Sequence, residues 1–260
     1  MMKKILFFLF LAVFSLGISA QAPSKKCPVC GLSIPKCQYK GKHPKKKPTT
    51  PAQQQPSKPA KQPAKPATSK PKPITVSRPT GTIEGHGYVD LGLSVKWATQ
   101  NVGADSPSDY GDYFAWGETR PKSRYDWDNY KIGGKTSVSP TCGHDTAREN
   151  WGGTWRMPTE AEFEELCNRN NCKWTWTSQG GHWGYLVTSK INRNSIFLPA
   201  AGWRHGTDRG RVGEYGYYRS STLCSSNSDY ARSLNINDLV YCMDETDFRS
   251  NGHSVRPVTE

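Results

Sequence analysis

The chain has 260 residues and a formal net charge of +13, from 35 basic and 22 acidic side chains. Residues 1–80 hold 16 of the basic residues and no acidic one, which leaves 19 basic against 22 acidic residues in 81–260, a net charge of −3. A nucleic-acid-binding domain carries its basic residues on a folded face. The charge distribution therefore argues against nucleic acid as the partner of the globular part.

The N-terminus has the pattern of a secretory signal peptide. Lys3 and Lys4 precede an apolar run, and small residues follow it up to Ala20, so residues 1–20 are predicted to be removed. A retained single-span anchor is the less favoured alternative, because the run is shorter than the ~20 residues that a span needs. No cysteine stands directly after the cleavage point, which argues against a lipid anchor. We expect a secreted, periplasmic or cell-surface protein with no transmembrane segment after cleavage.

Residues 21–45 form a short leader with four candidate zinc ligands. These are Cys27, Cys30, Cys37 and His43. The Cys-x2-Cys turn suits a tetrahedral Cys3His site, and a metal would supply the folding energy that so short a segment lacks. The alternative is a disulfide, which an oxidising compartment favours, although three cysteines would leave one over.

Residues 46–80 are predicted to be a disordered Pro/Lys-rich linker. Residues 22–80 contain 13 of the 19 prolines and 14 basic residues. So few apolar side chains cannot offset the entropy cost of ordering, and proline with like charges favours an extended tether. The tether is either a solvated spacer or a basic arm that binds anionic envelope polymers.

Two helices are predicted in the domain of residues 81–260, which contains all nine tryptophans. In "WRMPTEAEFEEL", Thr159 is a candidate N-cap and Glu162 completes a capping box. Phe163, Leu166 and Cys167 follow as one apolar stripe. A second short helix is expected over residues 145–149.

Strand patterns are more numerous than helical ones. Short aromatic or β-branched segments with turn residues between them predict strands; they are "GYVDLG", "VKWAT", "WTWTS", "GYLVTS", "SIFLPAAG", "RSLNI" and "HSVRPV". The pairs Gly152-Gly153 and Gly180-Gly181 predict tight turns. The expected fold is α+β, with small antiparallel sheets, one or two short helices and long loops.

Several motifs, taken in order, resemble one family. The segments "YVDLGLSVKWATQNVGA", "YGDYFAWGET", "WGGTWRMPTEAEFEEL", "SIFLPAAG" and "SVRPV" are similar to the Fibrobacter succinogenes major paralogous domain of Bacteroidetes secreted proteins, over nearly all of residues 84–258. "WRMPTEAEFEEL" also resembles a segment of the formylglycine-generating, sulfatase-modifying enzymes. The resemblance implies a C-type lectin-like fold for residues 81–260.

Catalysis is not predicted. The formylglycine-generating group implies two reactive cysteines near the C-terminus, but Cys224 and Cys242 lack its surrounding motif, and Cys167 and Cys172 lie after the predicted helix. A disulfide within either pair is the simpler interpretation. The six histidines form no recognisable nucleophile motif. An enzyme with an unrecognised site is therefore the least favoured hypothesis.

Calcium-dependent sugar binding is an alternative that the lectin-like resemblance raises. The sugar-selecting Glu-Pro-Asn and Gln-Pro-Asp motifs are absent from the sequence. Asn235, Asn237 and Asp238 offer the oxygen ligands that calcium prefers. A turn explains the same "NIND" segment more simply.

The resemblance places the ligand-binding loops in the C-terminal half, from about Trp203 to Arg256. This half is rich in Tyr, Arg, Asn, Ser and Asp, as recognition surfaces are. The predicted ligand contacts are Tyr217, Tyr218, Arg219, Tyr230, Tyr241, Asp244, Asp247 and Phe248, with the alternative that several of them line loops or core. We expect an exported, tethered module that binds a surface carbohydrate or protein, or else an envelope adhesin acting through its basic arm.

A further hypothesis concerns residues that are atypical beside the regular "SVRPV" ending. They are Arg219, Cys224, Cys242, Phe248 and His253. Some phage and bacterial proteins of this fold are diversified here by a reverse transcriptase that mutates adenines. The hypothesis predicts a near-identical template repeat beside the gene, with Asn codons at these positions.

Overall fold

The computed structural model describes residues 76–132, 142–225 and 227–260. The signal peptide, the four candidate zinc ligands and the linker up to residue 75 lie outside these described residues. Twelve strands and two α-helices make up the described part, together with a 3-10 helix at Trp127–Asn129. The coarse prediction of an α+β fold with small antiparallel sheets is confirmed.

The strands are short and pair with antiparallel neighbours. They are β1 (Gly81–Ile83), β2 (His86–Val89), β3 (Lys96–Ala98), β4 (Cys172–Gln179), β5 (His182–Ser189), β6 (Ser195–Pro199), β7 (Trp203–His205), β8 (Asp208–Gly210), β9 (Tyr215–Leu223), β10 (Tyr230–Asn237), β11 (Tyr241–Phe248) and β12 (Val258–Thr259). The described sheets have the orders β1-β2-β3-β12, β11-β10-β9, β4-β5-β6 and β7-β8. The strand β12 thus brings the end of the chain beside β3.

The longer helix, α2 (Glu160–Cys167), begins where its capping box predicts. The Thr159 hydroxyl accepts a hydrogen bond from the Glu162 amide at 3.3 Å, and the Glu162 carboxylate accepts one from the Thr159 amide at 2.8 Å. Two of the amides that a helix start leaves unpaired are satisfied in this way. The apolar stripe of the helix is buried against the sheets, so both predictions are confirmed.

The shorter helix, α1 (Thr146–Trp151), confirms the prediction of a second helix near residues 145–149. Asp145 caps it by accepting from the Arg148 amide at 3.0 Å, and the same carboxylate accepts from the Met157 amide at 2.9 Å. Asp145 is buried, and burial raises the pKa of its carboxyl above the usual value. One carboxylate therefore fixes the start of α1 to the segment that leads into α2.

The β4–β5 hairpin turns at Gly180 and Gly181, as predicted. Both residues have positive φ, 55° and 85°, as a type I′ hairpin turn requires at its two central positions. Alternation along the paired strands puts Trp174 and Trp176 on the same face as Trp183 and Tyr185. The hairpin therefore carries an aromatic face.

Six of the seven predicted strand segments contain a strand, and the last one differs. In "HSVRPV" only Val258 belongs to a strand. The residues before it bond to separate partners: the His253 amide donates to Phe114 and the Ser254 amide to Tyr217. Arg256 is fully buried and donates to the carbonyls of Ala98 and Phe197. The segment ties several loops together, so its backbone cannot follow one continuous ladder.

Two groups of buried side chains form most of the core. One surrounds Trp97 and Phe163, between α2 and the sheets, and the other surrounds Trp116 and Trp155. Ser77, assigned to the linker from the sequence, exchanges hydrogen bonds with Ser195 at the start of β6. Within the described ranges, no helix is both long and apolar enough to cross a membrane.

Candidate functional site

The eight predicted contacts lie on one sheet but do not form one surface. Tyr217, Tyr218 and Arg219 are in β9, Tyr230 begins β10, and the other four are in β11. The side chain of Asp244 lies outside the described part, although its backbone pairs with Ser233.

Tyr218 and Arg219 are fully buried. The Tyr218 hydroxyl donates to the Pro199 carbonyl at 2.6 Å, and burial raises its pKa. Arg219 donates to the backbone carbonyls of Phe248 and Asn251, and burial lowers its pKa to about 10, against the attraction of Asp247. The prediction that these two residues touch a ligand is wrong, because the interior of the domain covers both.

Tyr241 lies at the opposite end of β11 from Phe248. They are seven positions apart along the strand, a distance of about 23 Å. The Tyr241 ring stacks on Trp174, with centroids 4.3 Å apart and planes within 6°. Tyr241 therefore belongs to the aromatic face of the β4–β5 hairpin and not to a site shared with Phe248.

Two of the predicted residues, Tyr230 and Phe248, do come together, and a third aromatic residue joins them. The ring centroids of Tyr230 and Phe248 are 4.8 Å apart, and Trp127 meets Phe248 edge-on at 6.2 Å. Phe248 is 39% exposed and Trp127 is 44% exposed. We call these three residues the C-terminal patch. No sequence pattern indicates that Trp127 belongs here, because it reaches the patch from a 3-10 helix that is distant in the chain.

Arg249 ties together the loops that precede β10 and follow the 3-10 helix of Trp127. It is buried and donates to the Tyr130 hydroxyl, the Ser228 carbonyl and the Ile132 carbonyl, each at 2.8 Å. Its guanidinium also lies 4.8 Å from the centre of a Trp116 ring. Such a planar group with several fixed partners is well suited to hold loops rigid. The exposed Trp127 and Phe248 therefore stand on a preorganised base.

A row of hydrogen-bonded polar side chains runs beside the patch. His205 Nδ1 is 3.0 Å from Asn251 Oδ1, and Asn251 donates to Asp247 Oδ1 at 3.0 Å. Asp247 Oδ2 is 3.2 Å from His253 Nε2. Although burial opposes ionisation, His253, Arg219 and Asn251 together hold the pKa of Asp247 well below its usual range. Asp247 is thus a stable anion within the fold.

Tyr217 borders the same row without joining the patch. Its ring centroid is 5.2 Å from that of His253 and 6.2 Å from that of Tyr215. Three positions of the diversification hypothesis, Arg219, Cys224 and His253, are buried. A buried side chain does not contact a ligand, so burial argues against a binding role for these three positions, and the template repeat stays a prediction. The side chain of Cys242 lies outside the described part.

The structure contradicts the predicted disulfide between Cys167 and Cys172. Cys172 is a free thiol, so the Cys167–Cys172 disulfide is wrong. Burial, with a smaller effect of Glu165, raises the pKa of Cys172 to about 11, which keeps it protonated and unreactive at neutral pH.

The "NIND" segment forms a turn. The Asn237 carboxamide oxygen accepts from the amides of Leu239 at 2.9 Å and Val240 at 3.1 Å. In the part of the chain that the structure describes, no three His, Cys, Asp or Glu residues are grouped to hold a metal ion. The two bonds of Asn237 show the turn, and calcium binding by the segment stays a prediction.

Comparisons with known proteins give no relative for this chain: no family model, curated protein or solved structure matches it.

Proposed function

We propose that this is an exported, tethered recognition protein whose residues 81–260 adopt the C-type lectin-like fold of the major paralogous family. The motifs carry the family assignment. The small antiparallel sheets, two short helices and long connections accord with such a fold. The domain acts by binding and not by catalysis.

The C-terminal patch is the proposed binding surface, and a surface protein is its proposed ligand. The observation that carries this proposal is the contact between Trp127 and Phe248, two exposed aromatic residues on a rigid base. Adjacent aromatic residues of this kind provide the anchors of protein interfaces. The Asn251 amide donates to the Phe248 carbonyl at 3.2 Å, so the polar row joins the patch through the backbone of the same turn.

A basic arm that binds anionic envelope polymers is the second candidate. It rests on charge alone, since residues 22–80 hold 14 basic and no acidic residues. Cys27, Cys30, Cys37 and His43 in the same region are the proposed zinc ligands. Calcium has no assigned ligand set in this proposal.

Deleting residues 22–75 separates the two candidates. The deletion stops there because Ser77 bonds to β6. The full secreted chain and the shortened chain would be compared on arrays of surface proteins and glycans. A patch-driven module retains its specific partner after the deletion. Binding that disappears with the tether would assign the function to the basic arm.

A further inference from the structure

A concave site of about 370 Å³ lies between the β4–β5 hairpin and two turns of the C-terminal half. Its side chains are Trp176, Trp183, Arg211, Glu214, Tyr215 and Asp238. The volume falls at the small end of the range for ligand clefts. We call this site the tryptophan groove.

Two tryptophans form the apolar wall of the groove. The rings of Trp176 and Trp183 are nearly parallel, with centroids 6.2 Å apart and an interplanar angle of 11°. Trp183 is 49% exposed, whereas Trp176 also meets the buried Tyr185 edge-on at 5.1 Å. The core therefore fixes the inner indole, and the outer indole remains half exposed at the groove.

An ion pair forms the opposite, polar part of the lining. Arg211 Nη1 is 2.9 Å from Glu214 Oε2, and the guanidinium lies 5.5 Å from the centre of the Tyr215 ring. The amides of Glu214 and Tyr215 both donate to the Arg211 carbonyl, at 3.1 and 2.9 Å. These bonds fix the turn. The two charged groups remain more than half exposed and can still accept and donate hydrogen bonds.

A second turn places Asp238 in the groove. The Asn237 carboxamide bonds to the amides of Leu239 and Val240 and so shapes the β10–β11 turn. Asp238 is exposed at the tip of this turn and lines the groove. The groove thus contains two carboxylates and one guanidinium beside the indoles.

We propose that the tryptophan groove binds a neutral carbohydrate. The C–H groups on one face of a pyranose ring pack on the electron-rich face of an indole. Planar carboxylate and guanidinium groups form paired hydrogen bonds with neighbouring hydroxyl groups. The two acidic groups outnumber the one basic group, which disfavours acidic sugars. The volume accommodates about one or two sugar rings.

This site is separate from the C-terminal patch. Asp238 lies at the Tyr241 end of β11, whereas Phe248 lies at the other end, about 23 Å away along the strand. The carbohydrate proposal therefore does not depend on the proposed protein-binding function. Glu214 is already paired with Arg211, so its carboxylate recognises the sugar by hydrogen bonds and not by holding a metal ion. We therefore expect binding to persist in the presence of a chelator.

The test is calorimetric titration of the full secreted chain with four-sugar fragments of β-1,4-glucan, mannan, xylan and chitin. Tetragalacturonate is the acidic probe and a Lys-rich peptide is the basic one. We expect binding of at least one neutral probe in the presence of EDTA. Trp183→Ala and Glu214→Gln should each weaken it about tenfold or more, whereas Phe248→Ala leaves it unchanged. We expect the melting temperature of Glu214→Gln to be unchanged, which would show that the loss of binding is local.

Several outcomes would overturn the proposal. They are the absence of binding to every neutral probe at millimolar concentration, equal affinity in Trp183→Ala, or preference for tetragalacturonate or the Lys-rich peptide. Abolition by EDTA would assign any sugar binding to a metal site instead. Phe248→Ala is scored separately on the protein array, so failure of one site leaves the other result intact.

Discussion

The carboxylate of Asp247 lies 3.2 Å from Nε2 of His253, which is fully buried beside the C-terminal patch. Arg219 is also fully buried and is attracted to the same carboxylate. The Asp247 carboxylate therefore interacts with two buried side chains, Arg219 of β9 and His253 of the C-terminal segment. This arrangement makes the base of the patch sensitive to changes at Asp247.

Asp247→Asn should lower the free energy of unfolding by about 3 kcal/mol at pH 7. The reason is that the buried Arg219 guanidinium loses the carboxylate that attracts it. The folded-state pKa of Asp247 is lowered. Its stabilisation is therefore fully present above the unfolded carboxyl pKa of about 4, and it is lost progressively as pH falls from there toward the lowered folded-state pKa. Urea unfolding at several pH values measures this. The difference in free energy of unfolding between the native chain and the variant should become smaller from pH 5 to pH 3. A difference that does not depend on pH would contradict the lowered pKa of Asp247.

Thr159→Ala should lower the free energy of unfolding by about 1 kcal/mol, because it removes the hydroxyl that caps α2. Thr159→Ser is the matched control and should retain most of the stability, since it keeps the hydroxyl. Both values come from urea denaturation followed by tryptophan fluorescence. Equal losses in the two variants would show that the methyl group, and not the cap, is responsible.

Cys172 should resist alkylation in the folded protein. Its pKa of about 11 leaves almost no thiolate at pH 8, and the residue is buried. Iodoacetamide followed by peptide mass spectrometry should label Cys172 only after urea is added. Rapid labelling of the native protein, or a Cys167–Cys172 cross-linked peptide without reductant, would contradict the structure.

The N-terminal leader should bind zinc with a stoichiometry of about one per chain if its four ligands act together. Metal analysis of the secreted chain purified under reducing conditions measures the content. A Cys27→Ser/Cys30→Ser variant should lose the metal, whereas Cys172→Ser should retain it. A zinc-free native chain with a leader disulfide would support the alternative.

Local sequence patterns predicted the helices and most strands, whereas the candidate binding site depends on contacts between residues that are distant in the chain. Thr159 and Glu162 are three residues apart, so the sequence alone predicts α2. Trp127 and Phe248 meet only through the fold, and no periodicity in the sequence indicates that contact. The tryptophan groove escaped prediction for the same reason, since β4, β5 and two turns each supply part of it.

The errors at Tyr218 and Arg219 have a physical cause. Composition indicates residue types that suit recognition, but it does not say which side chains of a strand are covered. Tyr218 points into the core, and the Phe248–Asn251 turn covers Arg219. The same turn leaves Phe248 exposed.

The most direct test of the recognition proposal is a surface-protein array probed with the full secreted chain and two single variants, Trp127→Ala and Phe248→Ala. Ile191→Ala is the matched control, because Ile191 is a large exposed apolar residue outside the patch. We predict a specific partner whose affinity falls about tenfold or more in both patch variants and is unchanged in the control. A partner bound equally well by all four proteins, or no partner at all, would contradict the proposed role of the C-terminal patch.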